Sequence, residues 1–242
     1  MNALESHLQR QIEGSQDFFW QRVRQRAVAN YLPAARPFAL VDVGAGAGLL
    51  GAFLAERYPS GSYRFIEPLD SLQRHLENRY GTDANARNLE SFEGIEYVTL
   101  LDVLEHQEDD GEFLHELARR MEPGALLLIT VPALPRLWSA WDASLGHHRR
   151  YTRRTLLSCI EQAPLRVLEV SYLFPELVPL GWVRRWRTRR HVTAGPGEES
   201  ATFPDLPKPV NQALYATSMA SLRLRRLWPA GTSLFAALRR SR

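Results

Sequence analysis

Cysteine is almost absent from this chain of 242 residues, and Cys159 by itself excludes both an internal disulfide framework and a cysteine-rich metal site. A reducing compartment is the simple expectation. Long hydrophobic runs are missing too: the longest, Ala125 to Leu134, is too short to cross a bilayer and already holds Thr130 and Pro132. The first residues carry acids and glutamines, not the charged-then-apolar layout of a secretory signal. These absences predict a cytoplasmic protein. No internal repeat and no disorder-level bias is evident, and 45% hydrophobic with 24% charged residues suits one globular domain with an appended element. Lysine is nearly missing as well. Lys208 is alone among 30 basic residues, so arginine carries the positive charge, a bias that genomic base composition also explains.

That charge is unevenly placed: residues 1–180 hold 18 Lys/Arg against 24 Asp/Glu, whereas residues 181–242 hold 12 against 3. A basic tail on an acidic body suggests contact with something anionic, such as a phosphate, a nucleic acid or a membrane surface. Between Pro175 and Pro229 the character changes, with paired tryptophans, an arginine run and a Gly/Pro/Glu-rich stretch at 194–200. The pattern predicts two helices joined by a mobile loop. Residues 177–190 interleave Leu177, Leu180, Trp182, Val183 and Trp186 with five arginines, which suits a helix lying at a membrane interface or a cap whose arginines face water. Nucleic acid is the weaker partner, because no recognised RNA-binding module is visible.

Upstream, apolar residues at helical spacing from Leu4 to Leu32 predict a helical lid over 1–37, closed by Pro33 and Pro37. Strands and helices then alternate: strands at 38–43, 62–66, 96–101, 125–131 and 165–173, helices at 47–57, 69–79, 108–121 and 152–162. Such alternation predicts an α/β fold whose parallel sheet is covered on both faces. A last strand at 233–239 would run antiparallel. The expected organisation is a lid (1–37), a core (38–174), a basic helical insertion (175–229) and a terminal strand (230–242).

The most informative segment is VDVGAGAGLL at 41–50, a strand that breaks into glycines at 44, 46 and 48, with a second acid following at Glu67. Glycines there let the turn take unusual backbone angles and let a ligand lie on the backbone. A dinucleotide site would place its third glycine near position 49, where Leu49 stands. Asp42, two residues before the first glycine, suits a cationic amino-acid ligand better than a diphosphate. S-adenosylmethionine is such a ligand, and Glu67 would bind its ribose.

VDVGAGAG, FIEPLD at 65–70, NLESF at 88–92, YVTLLDVLEH at 97–106, GALLLITVP at 124–132 and GTSLFAALRR at 231–240 together resemble the class I S-adenosylmethionine-dependent methyltransferases, in particular bacterial types of the ubiquinone-biosynthesis group and of lipid or glycan pathways. The resemblance implies a Rossmann-like, doubly wound, seven-stranded sheet with its last strand antiparallel. It also implies a cofactor site of Asp42, Gly44, Ala45, Gly46, Gly48, Glu67, Pro68, Asn88, Leu89, Leu101, Asp102 and His106, with S-adenosylhomocysteine as product. FWQRVR at 19–24 resembles a lead-in whose arginine, here Arg24, reaches the cofactor carboxylate, and Trp20 would face the acceptor.

In open α/β sheets ligands gather at the strand C-termini, so the loops after the 97–101 and 125–131 strands should bring acceptor and cofactor together. Asp102, Glu105 and His106 form a DxxEH set similar to the ExxEH ligands of metal-assisted methyltransferases, with a first position one carbon shorter; in metal-free members such residues line the pocket and orient the loop. PALPRLWSAWDASLGHHRRYTRRTL at 132–156 concentrates Trp138, Trp141, Asp142, His147, His148, Arg150 and Tyr151. Histidine titrates near neutral pH, so His147, its tautomer fixed by Asp142, is the candidate base, or else a brace for the loop. Trp138, Trp141, His148, Arg150 and Tyr151 are candidate acceptor contacts. The implied activity is methyl transfer to a hydroxyl, or less readily an amine, of a small or lipid-linked metabolite. RNA methylation through the basic insertion and a non-catalytic partner subunit are the alternatives.

Overall fold

The computed structural model describes residues 5, 8, 11–12, 18–87, 90–183 and 206–241. Its centre is a largely apolar, leucine- and valine-bearing ladder: β1 (Ala39–Val43), β2 (Ser62–Ile66), β3 (Tyr97–Leu101), β4 (Leu126–Pro132), β5 (Leu165–Leu173) and β6 (Ser233–Arg240). The strands lie in the order β2-β1-β3-β4-β6-β5. β2, β1, β3 and β4 are mutually parallel, and β6 runs antiparallel between β4 and β5. Reversal of chain order beside β1 creates a topological switch point, the place where open sheets of this type bind ligands.

Successive strand residues point to opposite faces, so each face has its own core. Leu127 and Ile129 of β4 pack with Val98, Leu100 and Ala236 beneath α4 (Asp110–Arg120) and α6 (Arg153–Ile160). Leu128, with Leu40, Phe235 and Ala237, packs on the other face against α1 (Phe19–Ala29), α2 (Leu49–Arg57) and α7 (Lys208–Arg223). α3 (Asp70–Tyr80) follows β2, and the short α5 (Ala140–Ser144) follows β4. α5 begins at a capping box in which Ser139 and Asp142 satisfy each other's backbone N–H groups.

The sequence pattern placed every one of these six strands, but the expected count of seven is corrected to six among the described residues. Where the extra edge strand would lie, the polar stretch after α3 makes a single parallel bridge, Asn85 to Phe65, because TDANAR offers no apolar run to bury. Of the insertion, residues 178–183 are helical and α7 supplies its second helix; the joining loop and the arginine run after Val183 lie outside the described residues.

Candidate active site

A cavity of about 300 Å³ opens at the C-terminal ends of β1 to β4, within the size range of small-molecule sites. Its floor is the turn after β1. Gly44, Gly46 and Gly48 have φ of 74°, 55° and 70°, a region other residues rarely adopt. Gly44 and Gly46, with Ala45, leave bare backbone on the cavity wall. Gly48 does not line it: a Cβ there would lie 2.5 Å from Leu76 Cδ2 and 3.1 Å from Tyr80, so this glycine lets α2 pack on α3.

Two buried carboxylates flank the turn. Glu67 accepts the Gly46 N–H at 2.7 Å and the Leu69 N–H at 3.0 Å, one on each oxygen, which leaves each oxygen a further lone pair. Burial raises its pKa, opposed by those two N–H groups. Asp42 accepts from Thr99 Oγ1 at 2.6 Å and Tyr63 Oη at 3.2 Å, and burial pushes its pKa up to about 6. Thr99 stands opposite Asp42 in the β1–β3 register. Neither Thr99 nor Tyr63 was singled out from sequence; a threonine inside the apolar YVTLL strand was the available signal. Pro68, Leu101 and His106 also lie in the cavity wall, whereas Asn88 and Leu89 fall outside the described residues.

Trp20 and Arg24 reach the wall from α1, together with Leu8 and Gln11. Arg24 forms its ion pair with Asp102 and a further hydrogen bond with Gln21, so its partner within the structure is a protein carboxylate. Asp102 itself has φ of 59°, and its side chain accepts from Thr130 Oγ1 at 3.0 Å. Asp102 is therefore engaged by Arg24 and not free as the first member of the DxxEH set. Among the described residues, Glu105, His106 and His147 are the group of acids and histidines whose ligand-capable atoms lie within 4.8 Å of one another.

The loop after β4 folds back over the cavity. Asp142, wholly buried behind it, accepts from His147 Nδ1 at 3.1 Å, Arg150 Nε at 2.7 Å and the Ser139 N–H at 2.9 Å. Burial works against its charge, but these three donors outweigh burial and hold its pKa low. With Nδ1–H given to Asp142, His147 turns Nε2 toward Glu105, 3.9 Å from Oε1. His106 meets His147 edge to face, ring centroids 4.8 Å apart, and burial with the neighbouring His147 lowers its pKa to about 4. Trp141, His147 and Arg150 line the cavity. Three other candidates do not. Trp138 is absent from the wall, His148 is exposed, and Tyr151 is a core residue whose hydroxyl donates to Asp110 at 2.7 Å. An aromatic in a charged loop signals a site and a core anchor equally, and Tyr151 is the anchor that bridges to Ala133.

The glycine cradle, the bare backbone and the two flanking carboxylates fit an adenosyl amino-acid ligand. Residues 8–170 match the family model described as Methyltransferase domain. No curated protein matches the sequence. Among solved structures, the chain is similar to Haemonchus contortus phosphoethanolamine N-methyltransferase 2 in complex with S-adenosyl-L-methionine, with 11% identity and TM-score 0.58 over 91% of this chain and 53% of that one. It is also similar to Streptomyces coelicolor geranyl diphosphate C-methyltransferase in complex with Mg2+, geranyl-S-thiolodiphosphate and S-adenosyl-L-homocysteine (15% identity, TM-score 0.58, 91% and 76% covered). A chain of the complex between the Haloferax volcanii Trm112 methyltransferase activator and its methyltransferase partner matches over 100% of this chain and 99% of its own, at 13% identity and TM-score 0.65. The chain belongs to the methyltransferase-domain family and is a class I S-adenosylmethionine-dependent methyltransferase.

Proposed function

We propose that the protein transfers a methyl group to a hydroxyl, or less readily an amine, of a small or lipid-linked metabolite, with His147 as the base. The observation that carries this reading is the Asp142–His147 pair, in which His147 lines the cavity and turns Nε2 toward Glu105, another residue of its wall. When bound, S-adenosylmethionine supplies an electrophilic methyl group on a positive sulfur. Glu67 would hold the ribose through its remaining lone pairs, Asp42 would favour the cationic amino-acid end, and the Gly44–Gly46 backbone would lie against the nucleoside. Trp20 and Trp141 would enclose the acceptor and exclude water. His147 Nε2 would take the acceptor's proton while Asp142 stabilises the resulting imidazolium.

Residues 1–37 serve in this reading as a lid and 175–229 as a cap. No described helix is long and apolar enough to cross a membrane. Peripheral contact through 177–190 is supported by Leu180, Trp182 and Val183, which are 64%, 42% and 46% exposed at the start of the arginine-rich segment. A metabolite extract incubated with the protein and methyl-labelled S-adenosylmethionine should yield a labelled product by mass spectrometry. His147→Ala should lower that yield by about 100-fold or more while leaving S-adenosylhomocysteine affinity unchanged. Retained turnover in the variant would make His147 a structural brace.

A further inference from the structure

Glu105 is fully buried, yet neither of its carboxyl oxygens has a hydrogen-bond partner among the described residues. A polar group out of water and unpaired costs about 1–3 kcal/mol, so such a residue persists where something supplied from outside completes it. Glu105 belongs to the cavity wall, and the nearest ring nitrogen to its Oε1 is His147 Nε2, at 3.9 Å. Asp142 occupies the other ring nitrogen of His147. Glu105 Oε1 and His147 Nε2 therefore face each other with no hydrogen bond between them, and an oxygen or nitrogen atom seated beside the pair could bond to both.

We propose that Glu105 grips the methyl-accepting atom, holding a hydroxyl or amine of the substrate between its carboxyl and His147 Nε2. The inference rests on the reading of His147 as the base and adds the second contact that orients the acceptor. Burial and then the neighbouring Asp102 charge push the Glu105 pKa well up, against the pull of Arg24 and Arg150, and in its protonated form the carboxyl offers one donor and one acceptor. A hydroxyl gives its proton to Nε2 and accepts from Glu105 O–H; an amine gives one N–H to each. Either arrangement leaves a lone pair free to attack the methyl group. An aromatic or aliphatic carbon acceptor would leave Glu105 unsatisfied, so the site selects heteroatom acceptors.

Glutamine preserves the donor and acceptor, and leucine preserves the bulk without either. Thermal melts, S-adenosylhomocysteine calorimetry and ring-nitrogen NMR of His147 during ethanolamine titration of the S-adenosylhomocysteine complex make the test. Glu105→Leu should melt about 2–6 °C higher than wild type, because an unpaired buried polar group is gone. Its S-adenosylhomocysteine affinity should stay within twofold. Ethanolamine, which carries one amine and one hydroxyl, should perturb the His147 nitrogens in wild type and Glu105→Gln and bind at least tenfold more weakly to Glu105→Leu. A lower melting temperature for the leucine variant, no perturbation of His147 in wild type, or equal ethanolamine binding by all three proteins would overturn the assignment. So would Mn2+ binding, titrated alone, that is lost in Glu105→Gln, since the carboxyl would then be a metal ligand. Failure of S-adenosylhomocysteine to bind wild type would instead strike the methyltransferase reading itself.

Discussion

At the residue scale, Asp42 is costly to keep where it is. Its pKa of about 6 lies above the value of about 3.9 for a free aspartate, so the folded state holds the proton more tightly than the unfolded chain between those limits. Stability should therefore fall as pH rises from about 4 to about 6, by on the order of 3 kcal/mol once Asp42 is ionised. Asp42→Asn keeps the Thr99 hydrogen bond without the charge. It should be more stable than wild type at pH 7 and equal to it near pH 4, as read from denaturant melts at the two pH values, while binding S-adenosylhomocysteine more weakly. A variant no more stable than wild type at pH 7 would mean that Thr99 and Tyr63 fully offset the burial. Such residues explain what pattern reading reached and where it stopped. Glycines 44 and 46 and Glu67 were legible because a local turn needs them within 25 positions of one another. The Glu105–His147 contact spans 42 positions and two loops, and no periodicity records it. Gly48 and Tyr151 carried the expected residue types but face α3 and the core, which only packing decides.

At the element scale, β1, β3 and β4 were readable because each is a largely apolar run ended by glycine, an acid or proline, and the alternation with helices left one sheet type. The edge strand not found among the described residues shows the limit: a single bridge at Asn85 has no hydrophobic signature. β5 shows another device that is absent from any motif. It is an edge strand with a register shift between Val167 and Glu169, and Glu169 is buried there against Tyr31 Oη (2.7 Å), Arg225 Nε (2.6 Å) and Arg226 Nη2 (2.7 Å). Burial alone would raise its pKa, but these donors and Ser171 outweigh it and bring it down to about 2. The cluster ties α1 and the chain after α7 to the sheet edge. Because its folded pKa lies below the unfolded value near 4.3, its stabilisation is complete above that pH and is lost as pH falls toward about 2. Glu169→Gln should cost about 2 kcal/mol at pH 7, with the gap to wild type closing as pH drops below about 4. A constant gap across that range in denaturant melts would assign the cost to packing and not to charge.

At the scale of the whole molecule, four parallel strands deliver a glycine cradle, two acids and the Asp102–Arg24 pair to one end of the sheet, and the loop after β4 closes over them with a histidine held by a buried aspartate. Cofactor chemistry follows from this shared edge, whereas in the proposed reading acceptor choice would rest on the lid, the β4 loop and the cap, whose sequences carry no periodic constraint. A ligand bound by the folded state alone stabilises it by an amount that grows with the logarithm of free ligand concentration above Kd, so cofactor binding should be visible globally as well as locally. Calorimetric titration of S-adenosylhomocysteine into wild type and Glu67→Ala is the most direct measurement: one-to-one binding by wild type, weakened at least tenfold by the substitution, is expected, whereas no binding, or equal affinity for both proteins, would contradict a ribose held by Glu67 beside the glycine turn.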